Sequence, residues 1–428
     1  MQTAHRFLNR SHRVVDRIGC GGARPAQPAR WRNQYLKPGG QYLIRLADTA
    51  SWSPVDDSNY SVVIYSPHKY PSGTIPAKAA DPRCKVLMYK TIIDMRDFGI
   101  GQAIPSQAVR FNLDTSVTYN EALVHDAANP SDKWILTSDG TTHLTPFFGF
   151  SSIYGGNISK TSFLDQVVLR LVEQLQAQPD WDGVWFDNIT IAAPNGWSFE
   201  LVNQTNYTNA YRDAIRYVTA KLWSHGYIVG TNSNYFVGGD LTSDTGVGVI
   251  GWFNTMGRDG ADFYSNQFAL QNPNDSAVTK LEGTASFIFY WQAWVTLVSI
   301  TQALGPGISG VLNGFLNGTA AGNLNGRVAR YVRASAYLLW DGWGLCWGPE
   351  HWQFAGPVTS WSGVPTIDMG QPVAAYTTDN GCYKRQFVTR TGAEMWVAVN
   401  PTQTQKTITV GVTQRVIASG DAYLGGPS

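Results

Sequence analysis

One segment of the sequence places an acidic side chain directly after a short apolar run. Residues 181–188 have the sequence WDGVWFDN, in which an Asp-Gly turn is followed by three apolar residues and then by Asp187. Three apolar neighbours predict partial desolvation of the carboxyl, which suits a group that gives or takes a proton. The alternative interpretation is that Asp187 caps the following helix or pairs with a basic neighbour.

Aromatic and amide side chains also occur at or near the ends of predicted strands. The chain contains 16 Trp, and Trp is both a core residue and a platform on which flat or amphipathic ligands stack. Amide side chains donate to and accept from hydroxyl groups. The predicted ligand-binding residues are Trp185, Asn188, Asn232, Asn234, Trp252, Asn254 and Tyr290.

The elements that must position these residues alternate between strand and helix. Apolar runs typical of buried parallel strands occur at 42–47, 61–65, 85–90, 183–187, 227–230, 247–250, 286–290 and 344–347. Helical periodicity covers 164–175, with Ser162 as predicted N-cap and Pro179 as terminator, and also 207–222 and 327–339. This alternation predicts an α/β fold, a TIM-type (β/α)8 barrel over residues 41–365, with catalytic groups at the carboxyl ends of its strands.

Two segments depart from this alternation. Residues 134–144 contain Asp139-Gly140 between short apolar runs, which predicts a β-hairpin outside the main sheet. Residues 366–428 carry β-branched and alternating segments separated by turns, which predicts a small antiparallel β domain. We expect that domain to make little contact with helices distant in sequence.

The net charge of +1 is the sum of two unlike parts. Residues 1–32 hold seven Arg and one acid, a charge of +6, so the remaining residues carry −5. An acidic body argues against nucleic-acid binding, and no apolar stretch is long enough to predict a membrane span. We define residues 1–40 as a basic arm, which is an assembly segment that docks on a protein partner, a targeting segment or a solvated linker.

Several common chemistries lack their sequence motifs. The chain has no nucleophile elbow, no phosphate-binding loop, no HExxH pair and no CxxC. The four Cys are widely spaced, so we expect buried free thiols rather than a disulfide scaffold. We expect neither a cofactor nor a metal.

Six segments of the chain together resemble a known family. The segment DGVWFDN at 182–188 resembles the signature of family fifteen of the hypothetical glycoside-hydrolase-like barrels. Further similar segments are KVLMYK at 85–90, GQP at 370–372, KRQF at 384–387, VAVNPT at 397–402 and TITV at 407–410. The resemblance implies a (β/α)8 barrel, a small C-terminal β domain and hydrolysis of glycosidic bonds in a polysaccharide or other glycan.

Glycosidases generally use two carboxylates that flank the scissile bond. The resemblance implies that Asp187 is one of them and that the second follows a later strand near 247–252, but Asn254 stands there instead. Nearby replacements are Asp259 and Asp262. Other acids near predicted strand ends, each expected to be a solvated loop residue, are Asp48, Asp94, Asp97, Asp341 and Glu350.

Two functions therefore stay open on the sequence. The first is a glycoside hydrolase in which Asp187 is a catalytic carboxylate. The second, motivated by Asn254, is a catalytically inactive carbohydrate-binding barrel that serves as a structural or receptor-binding component, such as part of a phage tail. Both predict an extracellular or virion-associated protein.

Overall fold

A computed structural model describes most of the chain between residues 42 and 427. The described ranges are 42–45, 56–59, 61–70, 74–145, 151–189, 198–233, 263–266, 309–314, 347–351, 369–402 and 404–427, with individual positions between 330 and 340. In a few strands only the backbone is described. The basic arm and the strands predicted at 247–250 and 286–290 lie outside these ranges.

A closed ring of parallel strands organises the first part of the structure. The strands described before residue 352 are β1 (Tyr42–Arg45), β2 (Val62–Tyr65), β3 (Lys85–Thr91), β4 (Asp94–Arg96), β5 (Ile153–Gly155), β6 (Gly183–Ile189), β7 (Ile228–Ser233), β8 (Phe263–Asn266), β9 (Ser309–Gly314) and β10 (Trp347–His351). All of these except β4 and β5 pair in parallel, in the order β1-β10-β9-β8-β7-β6-β3-β2, and β2 pairs back to β1. The predicted parallel sheet is therefore confirmed.

Continuous apolar runs form these strands because both of their faces are covered. Val86 and Met88 of β3 and Val184 and Phe186 of β6 are buried in the core that also contains the helices. The alternate residues of the same strands are buried as well. Burial on both faces is the expected environment of a parallel sheet.

Helices pack on the outside of the strands. The described helices are α1 (Pro76–Ala80), α2 (Gln107–Phe111), α3 (Tyr119–Ala128), α4 (Thr161–Ala177) and α5 (Gln204–Ser224), with 3₁₀ turns at Asp56–Asn59 and Pro67–Lys69. The described positions between 330 and 338 are helical too. Within this described part of the chain, no helix is long and apolar enough to cross a membrane.

The α4 helix confirms the periodicity of the sequence but not its predicted cap. The predicted face is buried, including Leu164 and Leu171. Ser162 is not the N-cap, because the helix begins at Thr161 with Lys160 in the capping position. The Ser162 hydroxyl instead accepts a 2.9 Å hydrogen bond from the Trp134 indole, which ties the helix to the segment that precedes β5.

The predicted hairpin is also present. The Leu144 amide donates to the Leu136 carbonyl at 2.8 Å, and Thr137 and His143 form an antiparallel bridge. Gly140 has a positive φ of 89°, which explains the glycine after Asp139 in this turn. The neighbouring β4 and β5 pair antiparallel, away from the ring.

The C-terminal part forms the predicted antiparallel sheet. Its strands are β11 (Gln371–Pro372), β12 (Thr377–Asp379), β13 (Cys382–Val388), β14 (Glu394–Asn400), β15 (Lys406–Val410), β16 (Thr413–Ile417) and β17 (Asp421–Gly425). The order β11-β13-β14-β17 makes one sheet, with β12 paired to β13, and β15-β16 make a separate hairpin. The boundary predicted at residue 366 lies outside the described residues.

The expectation that this sheet makes little contact with distant helices was wrong. Arg385 donates through Nη1 to the Leu338 carbonyl at 3.0 Å, and the Tyr337 ring meets Phe387 edge-on at 5.9 Å. Arg330 and Asp421 form an ion pair at 2.9 Å. Polar residues of the sheet thus bind the helical segment before it, which local sequence patterns do not reveal.

The two described cysteines follow the expectation for thiols. Cys84 and Cys382 are free and buried, and burial raises the pKa of the Cys382 thiol to about 11. A buried, protonated thiol is a packing group rather than a nucleophile.

Candidate active site

Asp187 lies near the carboxyl end of β6, where the βα loops of parallel barrels build active sites. At the amino end of the strand, Asp182 accepts hydrogen bonds from Lys78 Nζ at 2.5 Å and Lys85 Nζ at 3.1 Å. At Gly183, an added Cβ would lie 1.9 Å from the Ile228 carbonyl oxygen, so only glycine allows this approach of β7. The strand is held firmly at one end and presents Asp187 at the other.

The pairing of β6 with β7 changes register between Phe186 and Ile189, the interval that contains Asp187. Phe186 pairs with Thr231 and Ile189 pairs with Ser233, so β6 has one extra residue between these pairs. Such a bulge re-aims side chains and is frequent next to active sites. The side chain of Asp187 is only 4% exposed, which confirms the predicted desolvation.

Tyr89 of β3 is the hydrogen-bond donor to Asp187. Its hydroxyl lies 2.6 Å from Asp187 Oδ2, and both side chains are buried. Burial raises the pKa of Tyr89 well above its usual value, and the charge and hydrogen bond of Asp187 raise it further, with smaller contributions from Asp114 and Asp94. The phenol therefore stays protonated and donates to Asp187, and three carboxyls lie within electrostatic range of one hydroxyl.

Asp114 lies in a segment that runs beside the carboxyl end of β3. The ring partner β2 ends at Tyr65, opposite Met88. Beyond that point the Thr91 amide donates to the Asp114 carbonyl at 2.8 Å, and Thr91 forms a parallel bridge with Thr115. Because Thr91 pairs with Asp187 on its other side, Asp114 and Asp187 flank the end of the same strand.

The Asp114 carboxyl is held by residues that follow β2. Ser66 donates from its hydroxyl to Asp114 Oδ1, and the same hydroxyl lies 2.6 Å from His68 Nδ1. Ser66 is buried and His68 is exposed. These contacts connect the Asp114 carboxyl to the protein surface through two side chains.

Burial and nearby cations act on Asp114 in opposite directions. Burial raises the pKa of Asp114 and is the largest effect, while the Ser66 hydrogen bond and the charges of Lys90, His68 and Arg96 lower it. The net result is a pKa raised above the ordinary value of an Asp carboxyl.

Lys90 is an unusual buried basic residue beside this segment. It is 1% exposed, and its Nζ donates to the Leu113 carbonyl at 2.5 Å. Burial lowers the pKa of Lys90 to about 7, against an opposing effect of Asp114. Through this hydrogen bond, Lys90 of β3 binds the segment that carries Asp114.

The alternative acids occupy different environments. Asp94, in β4, is buried, so its interpretation as a solvated loop acid was wrong. Asp97 is half-buried and accepts the Gly99 amide at 2.8 Å, as expected of a turn residue. Glu350 lies in β10, in register with Ile44; Asp48 and Asp341 lie outside the described residues.

The predicted ligand-binding residues are only partly described. Trp185 is 1% exposed and packs against Tyr89, with ring centroids 5.7 Å apart. The Trp185 side chain is thus buried, and its role in ligand binding stays a prediction. The backbones of Asn188 and Asn232 lie in β6 and β7. The predicted site residues outside the described ranges are Asn234, Trp252, Asn254, Asp259, Asp262 and Tyr290.

Sequence reasoning overlooked two residues of this site. Tyr89 lies in a strand that was predicted, two positions before its end, so alternation along β3 could have indicated it. Asp114 lies in a loop-rich stretch without periodicity, and no local signal marks it.

A comparison with protein families identifies the chain. Residues 78–390 match the family model of hypothetical glycosyl hydrolase family 15. The chain belongs to this family. The matched range contains Tyr89, Asp114 and Asp187, and the resemblance found in the sequence is confirmed.

Several solved structures are similar to this chain at low sequence identity. A cyclic α-maltosyl-(1→6)-maltose hydrolase from Arthrobacter globiformis has 10% identity and a TM-score of 0.46, covering 90% of this chain and 98% of its own. An α-amylase from Lactobacillus plantarum has 13% identity and a TM-score of 0.42, with coverage of 90% and 98%. A β-L-arabinopyranosidase from Geobacillus stearothermophilus has 11% identity and a TM-score of 0.43, with coverage of 90% and 95%. No curated protein sequence matches the chain.

Proposed function

We propose that this protein is a glycoside hydrolase with a (β/α)8-barrel architecture, in which Asp187 is a catalytic carboxylate acting on a polysaccharide or other glycan. The observation that carries the proposal is a buried carboxylate at the carboxyl end of a ring strand, held by a protonated phenol. Membership in a glycosyl hydrolase family supports the same reaction class.

Glycosidases need one carboxyl that donates a proton and one that is ionised. The environment of Asp187 favours the ionised role. Tyr89 donates to Oδ2, and a donated hydrogen bond stabilises the ionised form of a carboxyl. An ionised carboxylate either attacks the anomeric carbon or removes a proton from the attacking water, according to its distance from the second carboxyl. The distance between the two carboxyls therefore determines whether the anomeric configuration is retained or inverted.

The test is hydrolysis by an isosteric variant. Asp187→Asn keeps the shape of the side chain and removes its charge, so we expect release of reducing sugar from a polysaccharide panel to fall by at least about 10²-fold. Asp213→Asn, on α5 with a largely exposed side chain in an ion pair with Arg212, is the matched control and should keep full activity. Unchanged turnover in Asp187→Asn would remove the proposal.

The alternative function, carbohydrate binding without catalysis, still rests on Asn254, which stands where a second carboxylate is expected. It predicts saturable binding of a glycan to the unmodified protein without product after prolonged incubation. Any product that disappears in Asp187→Asn contradicts it. The partner of the basic arm, and a place outside the cell or in a virion, stay predictions.

A further inference from the structure

The loop after β2 and the segment beside β3 come together at one carboxyl. Three contacts fix this arrangement: the Thr91 amide with the Asp114 carbonyl at 2.8 Å, Lys90 Nζ with the Leu113 carbonyl at 2.5 Å, and the Ser66 hydroxyl with Asp114 Oδ1. Two of them hold the backbone and one holds the side chain. Together these contacts hold the segment that carries Asp114, and the Asp114 carboxyl, in place.

We propose that Asp114 is the second catalytic carboxyl of this site, the general acid that protonates the leaving glycosidic oxygen, and that Ser66 and His68 orient it. The proposal rests on the glycosidase function proposed above. It names a carboxyl opposite Asp187 across the end of β3 rather than one on a later strand.

The placement supports this pairing. Thr91 pairs with Asp187 through the β3–β6 register and with Thr115 through the bridge on its other side. The charges of Asp114 and Asp187 both act on the hydroxyl of Tyr89. The two carboxyls therefore lie near the same hydroxyl group. Tyr89 donates its hydrogen bond to only one of them, Asp187.

This asymmetry separates the two acid–base roles. Asp187 receives a hydrogen bond from a phenol that stays protonated, which favours its ionised form. Burial raises the pKa of Asp114 despite the opposing effects of the Ser66 hydrogen bond and of the charges of Lys90, His68 and Arg96. A glycosidase needs one carboxyl as the acid and one as the anion, and only Asp187 accepts the hydrogen bond of Tyr89.

The proton balance of the step is simple. Asp114 gives its proton to the glycosidic oxygen as the bond from that oxygen to the anomeric carbon breaks, and the bonding electron pair stays on the oxygen. Water supplies the hydroxyl of the new reducing end and the proton that restores Asp114. Ser66 donates to Asp114 and lies within hydrogen-bond distance of the exposed His68, which provides a path for a proton from solvent.

Leaving-group dependence tests the assignment. The probes are paired phenyl and 2,4-dinitrophenyl glycosides of a sugar that the unmodified enzyme accepts, because dinitrophenolate leaves without protonation. For Asp114→Asn, we expect a loss of about 10²–10⁴-fold on the phenyl glycoside and less than about tenfold on the dinitrophenyl glycoside. Asp97→Asn, in the same stretch of chain, is the control and should treat both probes as the unmodified enzyme does.

The pH profile tests the role of Ser66. The Ser66 hydrogen bond lowers the pKa of Asp114, so Ser66→Ala should move the alkaline limb of kcat/KM to higher pH. A merely structural contact would lower activity without moving that limb.

The outcomes separate the two levels of the proposal. Equal loss on both glycosides in Asp114→Asn, or an unmoved alkaline limb in Ser66→Ala, overturns the role of Asp114 and leaves the glycosidase function standing. Absence of turnover of every probe and polysaccharide by the unmodified protein overturns the proposed function and this inference with it.

Discussion

The hydroxyl of Tyr89 donates a 2.6 Å hydrogen bond to Oδ2 of Asp187 across two neighbouring strands. The pair is diagonal, because Tyr89 is in register with Trp185 while Asp187 is in register with Thr91. Both side chains are buried, so the bond forms where water competes little. The carboxylate is thereby oriented from β3 rather than from its own strand.

The first prediction concerns this bond. Tyr89→Phe removes the donor, and a hydrogen bond to a charged group contributes about 1.5–3 kcal/mol, so we expect kcat to fall about ten- to a hundredfold. The measurement is kcat on the glycan that the unmodified enzyme hydrolyses fastest.

A matched control exists on the adjacent strand. The Tyr65 hydroxyl donates to Asp57 Oδ2 at 2.6 Å, and both residues are buried. Tyr65→Phe should lower the free energy of unfolding in urea by about as much as Tyr89→Phe does, and it should leave kcat unchanged. An equal loss of kcat in both variants would show that the effect is general destabilisation.

The second prediction concerns the pH dependence of stability. Burial lowers the pKa of Lys90 from its ordinary 10.5 to about 7. Between these values the unfolded chain binds more protons at this position than the folded chain, so the contribution of Lys90 to stability rises with pH. The slope is at most about 1.4 kcal/mol for each pH unit.

Lys90→Met should therefore flatten the free energy of unfolding between pH 7 and 9, measured by urea titration. Lys221→Met, at an exposed position of α5, is the control and should keep the slope of the unmodified protein. A slope in Lys90→Met equal to that of the control would show that Lys90 does not titrate in this interval.

The strands that could be predicted are those whose two faces are both apolar. β3 and β6 contain uninterrupted apolar residues because one face meets the helices and the other lies inside the ring. β8 has the sequence FYSN and β9 has SGVLNG. Polar residues and glycine interrupt these runs, so the hydrophobic pattern gave no strand there.

The residues of the candidate site also differ in whether the sequence predicts them. Asp187 could be predicted because it directly follows an apolar strand, and this local signal is sufficient. Asp114 could not, because its position depends on the contact of its backbone with Thr91, 23 residues earlier. A contact between segments distant in sequence leaves no periodicity in either of them.

The third prediction concerns the close approach of β6 and β7. An added Cβ at Gly183 would lie 1.9 Å from the carbonyl oxygen of Ile228, and this backbone atom cannot move without displacing β7. We expect Gly183→Ala to lower the free energy of unfolding by about 1–3 kcal/mol. Gly426→Ala, whose Cβ would have its nearest neighbour at 3.7 Å, should be nearly neutral in the same urea titration.

The fourth prediction concerns the attachment of the C-terminal sheet. Arg385, in β13, donates through Nη1 to the carbonyls of Tyr337, Leu338 and Trp340. Carbonyls at a helix end lack partners within the helix, and a cation there also interacts favourably with the helix dipole. One guanidinium therefore satisfies several carbonyls at the end of the helical segment.

Arg385→Gln should lower the free energy of unfolding by about 1.5–3 kcal/mol, whereas Arg390→Gln, at an exposed position two residues after β13, should change it little. Because the bonds join the sheet to the preceding helical segment, we expect the unmodified protein to unfold in urea in a single transition when followed by circular dichroism. Two separate transitions, with only the first affected by Arg385→Gln, would instead show that the sheet unfolds independently of the ring.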